Sequence, residues 1–199
     1  MSIPSRYLNN LIEELSAFPG IGRKSAARIA FHILDMRLSD TEKFIDAVRQ
    51  LKEKILTCRI CGGISDKEVC SICEDSSRDS SVLCIVEYKK DVLTIEKASA
   101  FKGLYHVLSG VISPLDGVGP EELNIASLVD RCSDGSIREI IIATNPTIEG
   151  DATALYISNV IKPLSIRIMR LARGLPVGAD LEFSDSVTIA KSLDARVEI

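Results

Sequence analysis

Cys58-Arg59-Ile60-Cys61-Gly62-Gly63 and Cys70-Ser71-Ile72-Cys73 decide how this 199-residue chain is read. The two Cys-x-x-Cys pairs stand eight residues apart, Gly62 to Val69. Each pair forms a tight knuckle that presents two thiolates. Two knuckles at this separation supply the four ligands of one tetrahedral zinc ion. Four cysteines close the coordination sphere and leave no position for chemistry. Cys58, Cys61, Cys70 and Cys73 therefore read as a structural Zn2+ site, one ion per chain. Redox dithiols are the competing reading.

Before the cysteines the sequence reads as helix. Leu8, Leu11, Ile12 and Leu15 recur at helical spacing. Phe18-Pro19-Gly20-Ile21-Gly22 stops that helix. A second starts near Arg23 or Lys24 and runs through Ala26, Ala27, Ile29, Ala30 and Ile33. Helix, Pro-Gly-Ile-Gly, helix resembles a helix-hairpin-helix module. Glycines at Gly20 and Gly22 let a backbone approach a phosphate. The free amides at the start of the second helix face it, and Arg23, Lys24 and Arg28 add charge. Such contacts hold the phosphate backbone and read no sequence. The competing reading is a helical hairpin whose glycines only turn the chain. A third helix is expected from a capping box at Ser39-Asp40-Thr41-Glu42, with Phe44, Val48, Leu51 and Ile55 on one face for core or subunit packing.

After the cysteines, Ser76 to Ser81 reads as a polar linker. Val82-Leu83-Cys84-Ile85-Val86 then has the continuous apolar character of a strand buried on both faces. Glu87 stands at its carboxyl end, where open α/β sheets gather their working groups. Helices are expected over Val92 to Ala100, Glu121 to Val129, Ala152 to Ile161 and Asp185 to Leu193. Strands are expected after Gly103, over Glu139 to Ala143 and over Ile166 to Leu171. The alternation predicts a mostly parallel sheet. The fold class is thus α+β in several parts: a helical N-terminus, a small four-cysteine zinc site, an α/β domain and a C-terminal extension. The expected divisions are 1–56, 57–75, 80–175 and 176–199, the last serving oligomerisation.

Net charge is −4, which does not advertise a nucleic-acid binder. The distribution is uneven, however. Residues 1–57 hold nine Lys/Arg against seven Asp/Glu, and the remainder fifteen against twenty-one. Nucleic-acid contact, if local, belongs to the N-terminal part. No run of eighteen apolar residues occurs, and Met1 to Arg6 lacks an apolar signal core. The expected compartment is the cytoplasm, where thiols favour zinc over disulfides. Cys84 and Cys132 follow no pairing pattern. His32 and His106, the two histidines, are not needed as ligands.

Taken together, the order resembles the bacterial RecR family of recombination mediators across essentially the whole chain, with the last part similar to a Toprim domain. The residues carrying the resemblance are Pro19-Gly20-Ile21-Gly22 with Lys24-Ser25-Ala26, the cysteine quartet, Gly103 to Leu108, Gly117-Val118-Gly119-Pro120, Glu149 to Tyr156 and Gly174 to Gly178. The resemblance implies a non-enzymatic role in DNA repair. It implies partnership with RecO and RecF, loading of RecA onto single-stranded DNA coated by single-strand-binding protein, and a ring-like homotetramer able to encircle DNA.

The alternative is a Toprim nuclease or nucleotidyl-transfer enzyme. Such enzymes hold divalent metal with a Glu and a later Asp-x-Asp. Glu87 matches the first position, but Asn145-Pro146-Thr147 stands where Asp-x-Asp is needed, with Glu149 and Asp151 following. No catalytic residue is assigned. Glu87, Glu149 and Asp151 read instead as an acidic surface for a basic partner such as RecO. Equally, Glu149 and Asp151 favour the N-terminus of the following helix. Arg167, Arg170 and Arg173 are candidates for a DNA path or simply for an exposed strand face. A sequence-specific regulator lacks a recognition helix rich in Arg or Asn.

Overall fold

The structure, a computed structural model, describes residues 5–196. Residues 1–4 and 197–199 lie outside it, and with them most of the N-terminal hexapeptide and the end of the C-terminal segment. The chain divides into two units, residues up to Ile55 and residues from Leu56 onward.

The first unit holds α1 (Arg6–Ser16), α2 (Arg23–Asp35) and α3 (Leu38–Lys54). Ser5 caps α1, its hydroxyl accepting from the Leu8 amide at 3.4 Å. Ile12 is buried against Ala26 and Ala30, with Leu8, Leu11 and Leu15 around them. The two alanines let α1 and α2 approach closely. α3 begins one residue before the expected capping box. Arg37 is its N-cap, and Asp40 accepts from the Arg37 guanidinium at 2.8 Å and from Lys43 at 3.2 Å. The carboxylate at Asp40 thus holds two cations, and Ser39 caps nothing. No residue of α3 is buried, and Phe44, Val48 and Leu51 are exposed. The apolar stripe is therefore not core.

The second unit opens with β1 (Leu56–Thr57) and β2 (Ile64–Ser65), an antiparallel pair, then α4 (Ser71–Glu74). There follow β3 (Asp79–Val86), α5 (Lys89–Lys97), β4 (Gly103–Val107), α6 (Ile125–Cys132), β5 (Glu139–Ile142), α7 (Ile148–Ile161), β6 (Arg167–Arg170) and α8 (Ser186–Asp194). The four longer strands form one parallel sheet in the order β4-β3-β5-β6. Leu83, Ile85, Ile140 and Ile142 face α6 and α7, through Leu128, Ile157 and Ile161. Cys84, Val86, Tyr105 and Val107 form the other face, with Val92 of α5 and Ile72 of α4. Both faces of β3 are covered, which is why its sequence is an unbroken apolar run. From β3 the chain goes out to β4 and crosses back to β5. The switch point of the sheet lies between the carboxyl ends of β3 and β5.

Several boundaries differ from the sequence reading, each for a local reason. β3 starts at Asp79, inside the expected linker, because the Asp79 amide donates to Lys102 at 2.8 Å. α7 starts at Ile148, not Ala152, because the Thr147 hydroxyl accepts from the Gly150 amide at 3.0 Å. Glu149 and Asp151 therefore lie in its first turn. α6 begins at Ile125, after a short 3-10 turn at Pro120–Glu122.

The outer edge of β4 is covered at several points. Arg78 donates to the Gly103 carbonyl at 3.2 Å and Arg131 to the Tyr105 carbonyl at 2.7 Å. The Val107 amide donates to the Cys61 carbonyl at 2.8 Å, and Asn124 Nδ2 donates to the Val107 carbonyl at 2.9 Å. Arg78 also pairs with Glu96, which accepts from the Tyr105 hydroxyl at 2.6 Å. The knuckle at Cys61 is thereby fastened to the sheet by a backbone bond.

Candidate nucleic-acid interface and metal centre

At the turn between α1 and α2, Gly20 has φ +77°, a conformation that disfavours a side chain. Gly22 is the N-cap of α2, with extended backbone and no side chain to cap the first turn. A Cβ placed on Gly22 would touch nothing within 4 Å. Packing within the chain therefore does not require glycine there, and the space in front of it is open. The first turn of α2 holds no acidic residue, so its amides and the helix dipole favour an anion. Arg23, Lys24 and Arg28 are exposed and make no hydrogen bond or ion pair among the described residues. At α3, by contrast, Arg37 of the N-cap and Lys43 pair with Asp40 and Arg49 pairs with Asp46, while Lys52 and Lys54 of the last turn make no ion pair among the described residues. Three unpaired cations thus stand together at the start of α2.

The four cysteines converge. Their sulfurs all lie within 4.8 Å of one another, and Cys61 Sγ is 3.6 Å from Cys70 Sγ. Four sulfurs at about 2.3 Å from one tetrahedral zinc stand about 3.8 Å apart, so the donor set fits the ion. The Gly63 amide donates to Cys61 Sγ and the Cys70 amide to Cys58 Sγ, each at 3.3 Å. Amide donors of this kind stabilise thiolate over thiol. Without metal the sulfurs compete for protons. The Cys73 hydrogen bond draws the Cys61 thiol down to about 5, and the same bond together with burial pushes Cys73 up. A divalent cation ends that competition by displacing the protons. This is the only cluster of three or more His, Cys, Asp or Glu ligands among the described residues.

The carboxyl ends of β3 and β5 hold the second group of candidates. Glu87 is 3% exposed. One of its carboxylate oxygens accepts from the Asn145 amide and the other from Asn145 Nδ2, both at 2.6 Å. A Cβ on Gly150 would collide with the Asn145 carbonyl and stand 3.1 Å from Glu87 Oε1. Only glycine lets α7 come this close. Asp151 is bound by the guanidiniums of Arg170 and Arg173, which hold its carboxyl well below the usual range.

These contacts correct two readings. Glu87 is not part of an acidic surface, because it is buried and both oxygens are satisfied. Asp151 is not a free acidic group, because two arginines neutralise it. Of the three acidic candidates, Glu149 alone has a carboxylate with neither a hydrogen bond nor an ion pair among the described residues. The arginine stripe is likewise occupied: Arg167 pairs with Glu139 at 3.2 Å, and Arg170 and Arg173 with Asp151. Sequence reasoning missed the Glu87–Asn145 and Asp151–Arg contacts. The available signal was a neutral amide donor standing where a carboxylate was sought.

The remaining titratable groups are packing residues. His106 is buried, its Nε2 is 2.8 Å from the Asn124 carbonyl, and burial lowers it to about 4. Burial raises Cys84 to about 12 and Cys132 to about 11, so neither is a ready nucleophile.

A glycine-turned helical hairpin, a four-cysteine zinc knuckle and a parallel sheet with Glu87 at its switch point define a zinc-containing, Toprim-type protein of DNA metabolism. Residues 81–172 match the Toprim domain family, residues 8–52 the RecR helix-hairpin-helix, residues 55–75 the RecR four-cysteine zinc finger domain and residues 174–197 the RecR C-terminal family. The chain is 50% identical over 195 residues to "Recombination protein RecR" of Desulforudis audaxviator (strain MP104C), covering 98% of each. The chain belongs to the RecR family of recombination proteins, and its four-cysteine finger carries one structural zinc. Among the described residues no helix is long and apolar enough to cross a membrane.

Proposed function

We propose that this protein is a DNA-binding recombination mediator. It acts in the cytoplasm with RecO and RecF to help load RecA onto single-stranded DNA coated by single-strand-binding protein. It does so as a ring-like clamp, a homotetramer, and not as an enzyme. The observation that carries the reading is the unpaired charge of Arg23, Lys24 and Arg28 around the open amides of α2, beside Gly20 and Gly22. Three phosphate contacts per chain are weak alone, and an acidic chain adds no general attraction. A ring multiplies them, because each further site acts at high effective concentration. Residues 176–199 are proposed to serve assembly, and the exposed stripe of Phe44, Val48 and Leu51 is a second assembly surface. Within the Toprim part, Glu149 is the acidic residue left to meet a basic partner such as RecO.

The test is DNA binding by a Lys24→Ala, Arg28→Ala double variant across a salt series, with and without RecO. Loss of two phosphate contacts should lower affinity about tenfold or more and flatten the salt dependence by about two counterions per chain. Unchanged binding in both conditions removes the hairpin from the mechanism. A Val48→Glu, Leu51→Glu variant should lose both assembly and DNA affinity. A monomer that binds DNA as tightly as wild type would sink the ring.

The non-enzymatic reading is supported by Glu87, whose oxygens are both taken by Asn145, and by Asp151, which is held by two arginines. A hard divalent cation needs free carboxylate oxygens. Labelled single- and double-stranded DNA incubated with magnesium or manganese should therefore stay intact and unjoined. Metal-dependent turnover that disappears in Glu87→Gln would overturn this.

A further inference from the structure

Beyond the carboxyl ends of β5 and β6, a cavity of about 550 Å3 lies between the sheet and α8. Arg170, Arg173, Lys191 and Thr188 line it together, with Pro146, Leu171 and Val187 as apolar wall. Two features set it apart from an ordinary surface cleft. First, two guanidiniums share one carboxylate: Arg170 and Arg173 both donate to Asp151 Oδ1, and Arg173 also reaches Oδ2 at 3.0 Å. One negative charge offsets only one of them. The guanidiniums repel each other, and a second anion would relieve the imbalance. Second, Lys191 is half-buried at the cavity wall and makes no hydrogen bond or ion pair among the described residues. Asp185, also at the cavity, is occupied: it accepts from the Val187 and Thr188 amides at 3.0 and 2.9 Å and from the Thr188 hydroxyl at 2.6 Å. Three cations thus face two engaged carboxylates. A concave, partly apolar space with a few convergent polar groups is the usual form of a small-ligand site.

We infer that this cavity binds the terminal phosphate of a nucleotide, with Lys191, Arg170 and Arg173 taking the phosphate and Pro146, Leu171 and Val187 the base or sugar. The phosphate could belong to a free nucleoside phosphate or to the 5′ end of a DNA strand. The chemistry is the same, and planar guanidiniums suit phosphate oxygens. The site is independent of the hairpin and of the mediator reading.

The experiment uses the full zinc-loaded chain and isothermal titration with ADP, without added divalent metal. The 5′-phosphorylated dinucleotide pTpT is titrated in parallel, with adenosine and TpT as phosphate-free controls. Saturable binding of ADP, pTpT or both, at one site per chain and absent for the controls, is expected. ADP alone identifies a free nucleotide as the ligand, and pTpT alone identifies a strand end. Lys191→Glu should weaken binding about tenfold or more, as loss of a charge-assisted contact does. It should leave the melting temperature unchanged, because Lys191 holds no described partner. The Lys24→Ala, Arg28→Ala variant should bind as wild type does. Equal affinity in wild type and Lys191→Glu, binding no tighter than the controls, or dependence on Lys24 and Arg28 would each overturn the inference.

Discussion

Cys70→Ala is expected to release the zinc and unfold residues 56–75, with assembly and DNA binding lost together. The reason is the poverty of that segment without its metal. Its regular structure amounts to two two-residue strands and a four-residue helix. Its buried apolar side chains are Cys58, Cys61 and Cys70 themselves, with Val69, Ile72 and Cys73 packed around them. So small a core cannot offset the entropy of ordering the chain. Zinc binding supplies about 10–16 kcal/mol in comparable finger peptides, and most of that is folding energy. Three remaining thiolates bind far more weakly, and the hydrogen bond from the Cys70 amide to Cys58 Sγ goes with the fold. Zinc content, hydrogen exchange over residues 56–75 and the melting temperature measure the effect. A Cys70→Ala protein that is metal-free yet folded, with wild-type exchange and assembly, would show that zinc is dispensable.

Asn145→Asp is expected to be the most damaging conservative change in the sheet's working end. It replaces the Nδ2 donor, 2.6 Å from a Glu87 oxygen, by a carboxylate oxygen. Two like charges would then meet at a site where Glu87 is 3% exposed. The cost is about 1–3 kcal/mol near neutral pH without added divalent metal, because Glu87 is buried while Asn145 is exposed and its new carboxylate stays partly solvated. Its pH dependence has a definite sign. Two carboxylates at this distance share a proton, so one of them titrates higher in the folded than in the unfolded variant. The variant therefore regains stability as pH falls, opposite to what an ion-paired carboxylate does. Magnesium or manganese should restore part of the loss at neutral pH by joining the two carboxylates. Denaturant unfolding of wild type and variant, at neutral and mildly acidic pH, separates these effects. Equal stability at neutral pH without added magnesium or manganese would mean that Asn145 does not hold Glu87.

The comparison of Asn145 with Cys58 shows what a sequence can and cannot disclose. Four thiols at fixed spacing point to one chemistry, because few side-chain sets bind zinc and the knuckle is local. The apolar runs at Val82–Val86 and Glu139–Ala143 were equally legible, since a strand covered on both faces has no polar alternation to hide it. The Glu87–Asn145 contact was not. Fifty-eight residues separate the pair, and only the parallel register of β3 on β5 brings them together. Asp151 with Arg170 and Arg173 is the same case. Both the acidic patch and the arginine path were read from charges whose partners lay on other elements. Helix starts were lost for smaller reasons: at α3 the N-cap, Arg37, carries little signal of its own, whereas at α7 Thr147 is a favoured N-cap residue hidden in a stretch rich in turn formers.

The edge of β4 gives the zinc knuckle a second part, as cover for a strand end. An exposed strand edge is a template on which other chains can add strands. Here the amide of the last residue of that edge, Val107, is covered by the carbonyl of Cys61, one of the four zinc ligands. Zinc starvation would therefore do more than idle the protein. It would free the Val107 amide at the end of the β4 edge, while Arg78, Arg131 and Asn124 still cover the Gly103, Tyr105 and Val107 carbonyls.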